Sequence, residues 1–158
     1  SGMRLMITKN GPKVLEYNVR FGDPECQPLL MRLGNDLLDI MNACIDGHLE
    51  EITLSIRPES ALGVVIAAEG YPGSYPKGML IEGLDQADAL PDTKVFQAGT
   101  RREGDKTFSN GGRVLCVTAL GSSLAEAQKH AYEAVALVQM DKSQHRTDIG
   151  AKGLRRLA

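Results

Sequence analysis

Residues 14–27 read VLEYNVRFGDPECQ, and the stretch opens with the strict alternation of apolar and polar residues that is typical of a β-strand. Consecutive strand residues point to opposite faces, and neighbours on one face lie about 7 Å apart. At that spacing a carboxylate and an amide oxygen can converge on one hard cation, and Mg²⁺ accepts both ligand types. The apolar face carries Leu15, Tyr17, Val19 and Phe21, and the polar face carries Glu16, Asn18 and Arg20.

Arg20 lies too far along the strand from Glu16 to serve the same ion, so it is placed to meet an anion beyond the metal. A metal held by few protein groups beside an arginine is the layout of a nucleotide-phosphate site. The alternation also suits a simpler interpretation, in which Glu16 and Asn18 are solvated on an edge strand. Arg20 would then form a surface ion pair with Asp23 or Glu25. Spacing alone leaves both interpretations open.

Four separated motifs extend the pattern along the chain. Arg20-Phe21-Gly22-Asp23-Pro24-Glu25-x-Gln27, with Glu16-x-Asn18-x-Arg20 before it, resembles the signature of phosphoribosylamine–glycine ligases, ATP-grasp enzymes of purine biosynthesis. The resemblance continues through Gly70-Tyr71-Pro72-Gly73, Gly111-Gly112-Arg113-Val114-Leu115 and Asp148-Ile149-Gly150. It covers the chain from about Leu5 to the end. One Glu-x-Asn would be weak evidence, whereas four motifs in the right order are specific.

This resemblance implies a carbon–nitrogen ligase that joins 5-phosphoribosylamine and glycine with ATP, giving glycinamide ribonucleotide, ADP and phosphate through glycyl phosphate. It also implies an enzyme that uses ATP with Mg²⁺ or Mn²⁺, and the three cysteines without a disulfide pattern fit a cytoplasmic protein. Glu16 and Asn18 would then ligate the metal beside the ATP phosphates. Arg20 would be catalytic, because a fixed guanidinium stabilises the negative charge that builds on transferring oxygens.

The resemblance extends to a set of substrate-binding residues. Two adjacent glycines at 111–112 expose backbone N–H groups and allow an anion to approach closely. Arg113 could then hold the ribose 5-phosphate, or it could be an exposed arginine at an ordinary hairpin entry. Arg146 has the same two interpretations, and the loop 71–77 could be purely structural. The predicted substrate-binding residues are Gly22, Asp23, Glu25, Gly112, Arg113 and Arg146.

The family's enzymes carry an amino-terminal substrate domain and an ATP-binding region before the strand at residues 14–19. Residues 1–3 resemble an expression scar, so we expect a carboxy-terminal portion of the ligase whose partners include those amino-terminal domains. We expect this portion to be inactive alone and to lack a tight metal site. The alternative is a non-catalytic binding or scaffold module derived from the same fold.

The chain is predicted to have an α+β fold. Residues 4–57 would end an ATP-grasp domain, with a hairpin turning at Asn10-Gly11, two helices after Pro24 that end at Gly47, and a short strand at 52–56. Residues 58–158 would form a small mixed or antiparallel β domain, barrel-like as in the rudiment hybrid motif. Its predicted strands are 61–68, 79–82, 94–98, 106–108 and 113–119, and its long helix follows a capping box at Ser123-x-x-Glu126.

Composition sets further bounds on the function. The 158 residues carry a net charge of −2 without a basic face, so no nucleic-acid partner is expected. The three cysteines, Cys26, Cys44 and Cys116, follow no metal-binding spacing and are predicted to fill the core. The apolar stripes of the two helices are predicted to lie mostly in the core, with a partner-binding helix as the alternative. No apolar run approaches the ~20 residues needed to cross a bilayer, so no membrane partner is expected.

Overall fold

The first element is the predicted hairpin, and the computed structural model describes residues 2–157. Strands β1 (Gly2–Thr8) and β2 (Gly11–Asn18) pair antiparallel around a turn at Lys9 and Asn10. The register shifts between Arg4 and Leu5, which face Glu16 and Val14, so Leu15 is an extra residue on β2. Since β2 ends at Asn18, Arg20 lies two residues beyond the strand.

Two helices follow, as predicted. Helix α1 spans Cys26–Arg32 and helix α2 spans Leu37–Asp46. The Asp36 carboxylate caps α2 by accepting a hydrogen bond from the N–H of Leu38. Gly47 ends α2 in the left-handed conformation, with φ of 76°, which glycine adopts without steric cost. A short 3₁₀ turn at Leu49–Glu51 comes next.

The predicted strand at 52–56 is wrong. Ile56 forms only an isolated bridge with Leu33, and residues 52–55 are irregular. The Asn35 side chain forms hydrogen bonds with the backbone of this segment. It donates to the carbonyl of Thr53 and accepts from the N–H of Ser55. Alternation therefore predicted extended backbone here, but no neighbouring strand pairs with it.

The remainder of the chain forms two four-stranded antiparallel sheets, and the α+β fold class is confirmed. The order of the first sheet is β10-β3-β8-β5, and that of the second is β6-β7-β4-β9. The strands are β3 (Ser60–Ala68), β4 (Leu80–Glu82), β5 (Thr93–Gln97), β6 (Thr100–Glu103), β7 (Lys106–Ser109), β8 (Arg113–Gly121), β9 (Gln139–Met140) and β10 (Ser143–Gln144). The helices are α3 (Leu84–Asp88), α4 (Leu124–Val135) and α5 (Ala151–Leu157).

The hydrophobic core lies between α4 and the β3–β8 pair. Ala127, Ala131 and Ala134 on α4 are fully buried, and their small side chains let the helix lie close to the sheet. The hydroxyl of Ser123 caps α4 by accepting from the N–H of Glu126, as predicted. The Glu126 carboxylate, however, accepts from the N–H of Ser122 rather than from Ser123. No helix among residues 2–157 is long and apolar enough to cross a membrane.

The prediction that the apolar stripes of the two helices lie mostly in the core is wrong for α2, whereas α1 packs against β3 and β8 and is half-buried. Neither helix contains a buried residue, and Ile45 on α2 is 81% exposed. Cys116 is buried as predicted, whereas Cys44 on α2 is exposed. Periodicity shows which face of a helix is apolar, but it does not show what covers that face. Large exposed apolar residues are concentrated before residue 57, and the buried core lies within 62–140.

Candidate functional site

A cleft of about 920 Å³ lies where the hairpin and the loop after it face the beginning of β8. This cleft collects most of the predicted site residues, from segments almost 100 positions apart. Two predicted site residues do not line the cleft: Gly112, which directly precedes the lining residue Arg113, and Arg146. The lining residues are Met3, Arg4, Glu16, Asn18, Arg20, Phe21, Gly22, Asp23, Glu25, Leu29 and Arg113.

Glu16 and Asn18 share one face of β2, as the alternation predicted. Nδ2 of Asn18 donates to Oε1 of Glu16 over 3.3 Å, and Nε of Arg4 lies 3.5 Å from the same oxygen. In residues 2–157 there is no group of three or more His, Cys, Asp or Glu that could hold a metal. Two oxygen-bearing side chains fit a cation that takes its other ligands from elsewhere, as Mg²⁺ does beside phosphates.

Arg20 is in the cleft, but the surface ion pair considered for it is absent. Its Nη1 makes only a long hydrogen bond of 3.5 Å to the carbonyl of Phe21. Among residues 3–157, no carboxylate lies within ion-pair distance of its guanidinium, and Asp23 pairs with a different arginine. The charge of Arg20 is therefore available for an anion.

Arg113 joins the two halves of the cleft. Its Nη1 donates to the carbonyl of Asp23 over 2.9 Å, and its Nη2 lies 3.3 Å from Oδ2 of the same residue. Both side chains are more than 40% exposed, so solvent screens the pair and its net stabilisation is small. The contact fixes the loop after β2 against β8, across 90 positions of sequence.

Gly22 lies in the turn that leads into α1. Its carbonyl accepts from the N–H of Cys26 over 2.8 Å, which closes the turn into α1. A side chain at Gly22 would collide with the Glu25 carboxylate, which folds over it. Both residues line the cleft.

The loop 70–78 supplies a feature that sequence reasoning missed. The ring of Tyr71 lies beneath Arg113, with Cζ 6.0 Å from the ring centroid. A side chain at Gly112 would collide with the same ring. The Gly-Tyr-Pro-Gly motif was the available signal, but nothing local in it indicates which arginine the tyrosine meets.

Arg146 does not line the cleft, and its substrate-binding role stays a prediction. It makes a two-pronged ion pair with Asp148, with distances of 2.8 and 2.6 Å. Hydrogen bonding from Arg146 and its positive charge lower the pKa of Asp148 below the ordinary range. The carbonyl of Arg146 accepts from the hydroxyl of Tyr132 over 2.7 Å, so this cluster ties the chain before α5 to α4.

Two family models match separate parts of the chain. Residues 3–26, which form the hairpin and most of the cleft loop, match the family described as the phosphoribosylglycinamide synthetase ATP-grasp (A) domain. Residues 61–152, more than half of the chain, match the phosphoribosylglycinamide synthetase C domain. The chain therefore belongs to the phosphoribosylglycinamide synthetase family, and the resemblance found in the sequence is confirmed.

Individual relatives agree with this assignment. Proteins named phosphoribosylamine–glycine ligase are 54% identical in Allochromatium vinosum and 47% identical in Brucella melitensis, each over 96% of this chain. The crystal structure of phosphoribosylamine–glycine ligase from Thermotoga maritima matches with a TM-score of 0.69 and 32% identity, over 91% of this chain and 35% of that one. The chain spans about a third of the length of the curated relatives it matches.

Proposed function

We propose that this chain forms the carboxy-terminal part of a phosphoribosylamine–glycine ligase. The intact enzyme would join 5-phosphoribosylamine and glycine with ATP, giving glycinamide ribonucleotide, ADP and phosphate by way of glycyl phosphate. The observation that carries the proposal is the cleft in which the polar face of β2 meets Arg113 from the C-domain match. One side of this cleft suits a cation, and the other suits an anion.

Glu16 and Asn18 would hold a Mg²⁺ or Mn²⁺ ion together with ATP phosphates and residues outside this chain. Asn18 uses its Nδ2 toward Glu16, which leaves its amide oxygen for a cation. The ion would neutralise charge on the transferring phosphate. Arg4 already lies beside Glu16, so the carboxylate remains partly compensated when no cation is bound.

Arg20 and Arg113 would divide the anionic groups between them. Arg20 follows the metal-binding face directly and has no carboxylate partner among the described residues, so we assign it to the charge that develops during acyl phosphate formation. Arg113 lies across the cleft and would hold the ribose phosphate. Asp23, Gly22 and Glu25 would shape the loop between them.

The exposed apolar surface of residues 3–57 supports a role within a larger protein. Ile7 on β1 is 78% exposed and Val19 after β2 is 89% exposed, so residues 2–157 leave both largely uncovered. Exposed apolar patches of this kind mark interaction surfaces. We infer that the preceding part of the ATP-grasp domain covers them in the intact ligase.

Reconstitution tests this function. The chain is mixed with the amino-terminal two thirds of a full-length ligase, and ADP release is measured with ATP, glycine and 5-phosphoribosylamine together and with each omitted. We expect release only with all three, and we expect Glu16→Ala and Arg20→Ala to reduce it by about 100-fold or more, because each removes a group that binds developing charge.

The matched controls are Glu133→Ala and Arg102→Ala, exposed substitutions of the same types outside the cleft. These controls should leave turnover unchanged. If the two parts associate without turnover, the chain is instead a binding or scaffold module. If turnover survives Glu16→Ala, the ligase assignment stands and the metal assignment is wrong.

A further inference from the structure

The Arg113 guanidinium has contacts with two residues, Asp23 and Tyr71. Asp23 binds one edge through its carbonyl and its carboxylate, at 2.9 and 3.3 Å. The guanidinium also lies over the ring of Tyr71, 6.0 Å from Cζ to the ring centroid. A guanidinium has five N–H donors, so Arg113 can bind a ligand while it keeps its contacts with Asp23.

The backbone of Tyr71 is hydrogen-bonded to the region that matches the C domain, residues 61–152. Its N–H donates to the carbonyl of Ala68, at the end of β3, over 3.1 Å, and its carbonyl accepts from Nε2 of Gln144 over 2.8 Å. Its ring meets Tyr75 edge-on at 6.0 Å, and Tyr75 packs against the buried core. These contacts hold the backbone of Tyr71 and give its ring an aromatic neighbour on one side.

Gly112 supplies the space that this arrangement needs. A Cβ at Gly112 would overlap the Tyr71 ring and would lie 3.1 Å from Cε1 of Tyr75. The absence of a side chain directly before Arg113 thus lets an aromatic ring lie where the arginine side chain leaves β8. The glycine at 112 therefore makes room for the contact between Tyr71 and Arg113.

We infer that Tyr71 is a positioning residue that orients the Arg113 guanidinium for a phosphate monoester in the cleft. The inference rests on the proposed function, which places a ribose phosphate at Arg113. A long arginine side chain loses rotamer freedom when it binds an anion, and a guanidinium already held by a ring and by Asp23 loses less. Tyr71 acts through Arg113 and need not touch the substrate.

The test uses NMR of arginine Nε–H groups in the 158-residue chain during titration with ribose 5-phosphate. Arg113→Lys assigns the Arg113 signal. The Arg113 signal should shift on titration, and Tyr71→Leu should weaken the fitted affinity about three-fold, as expected for loss of an exposed cation–π contact. Tyr71→Phe keeps the ring and should bind as the natural chain does.

Phe108→Leu is the matched control, because Phe108 lies 5.2 Å beneath Arg101 and neither residue lines the cleft. It should leave ribose 5-phosphate binding unchanged. Gly112→Ala is a second variant, because it displaces the Tyr71 ring without removing it, and it should match Tyr71→Leu. Melting temperatures of all variants separate loss of folding from loss of orientation.

Three results would overturn the inference. In the first, Tyr71→Leu or Gly112→Ala binds ribose 5-phosphate as tightly as the natural chain. In the second, Tyr71→Phe is as weak as Tyr71→Leu, so the hydroxyl rather than the ring face matters. In the third, the natural Arg113 signal does not respond to ribose 5-phosphate. Only the third result also contradicts the phosphate site of the proposed function.

Discussion

At the scale of single residues, one arginine–aspartate contact connects the two parts of the candidate site. Arg113 and Asp23 form the one ion pair, among residues 3–157, that joins a residue before position 57 to a residue after position 58. The contact is exposed, so it adds little to the free energy of unfolding. Its effect is to position the loop after β2. Sequence reasoning selected both residues, but only the fold shows that they meet each other.

A second residue-scale contact gives a pH prediction. Arg146 holds the pKa of Asp148 below the ordinary value of 3.8. Because the pKa is lower in the folded chain, the carboxylate stabilises the fold fully above about pH 3.8, and this stabilisation is lost as the pH falls through the folded pKa. Asp148→Asn should therefore unfold at lower urea than the natural chain at neutral pH, and the difference should disappear in acid.

Urea midpoints across the acid range measure this effect, with Asp141→Asn as the control. Asp141 is exposed, and no ion pair involves it among residues 3–157. The control should follow the natural chain at every pH. If the urea midpoint of Asp148→Asn stays below that of the natural chain in strong acid, the asparagine disturbs packing and the lost charge is not the cause.

At the scale of elements, the best predicted pieces are those whose signals are local. The hairpin turn, the end of α2 at Gly47 and the cap at Ser123 each depend on a few neighbouring residues. Strand β6 was missed because its sequence, Thr-Arg-Arg-Glu, carries no apolar alternation, and it exists by pairing with β7. Helix α3 was missed because it has only five residues.

The cap of α4 gives an element-scale prediction. Ser123→Ala removes the acceptor for the N–H of Glu126, and α4 covers the core, so we expect a loss of about 1 kcal/mol in the free energy of unfolding. Denaturant unfolding followed by circular dichroism measures it. Ser74→Ala, in an exposed loop, should change stability by less than about 0.5 kcal/mol. Equal effects of the two substitutions would contradict the role of the cap.

At the scale of the whole molecule, the chain divides into a part with its own core and a part without one. Residues 62–140 contain every buried apolar side chain found within 3–157, whereas the hairpin and α2 expose theirs. Stability should therefore be unequal along the chain, because segments with few buried contacts open at low free-energy cost. The candidate cleft lies at the boundary between the two parts.

Two isoleucine substitutions test this division. Ile66→Ala removes a side chain that is 3% exposed, so it should cost about 2–5 kcal/mol in the free energy of unfolding. Ile45→Ala removes one that is 81% exposed, so its cost should be below about 0.5 kcal/mol. Denaturant unfolding measures both, and native-state hydrogen exchange should show faster exchange in residues 3–57. A large cost for Ile45→Ala would mean that α2 is covered, for example by a second copy of the chain.

The sequence by itself determined the family, the α+β class, the hairpin and the residues of the polar face of β2. These features depend on motifs, turn residues and side-chain period, which act over a few positions. Tertiary structure alone decided that Arg113 meets Asp23 and lies over Tyr71, that Arg146 lies outside the cleft, and that residues 52–56 lack a partner strand. Such contacts join positions far apart in the chain, and no local pattern specifies which distant surfaces meet.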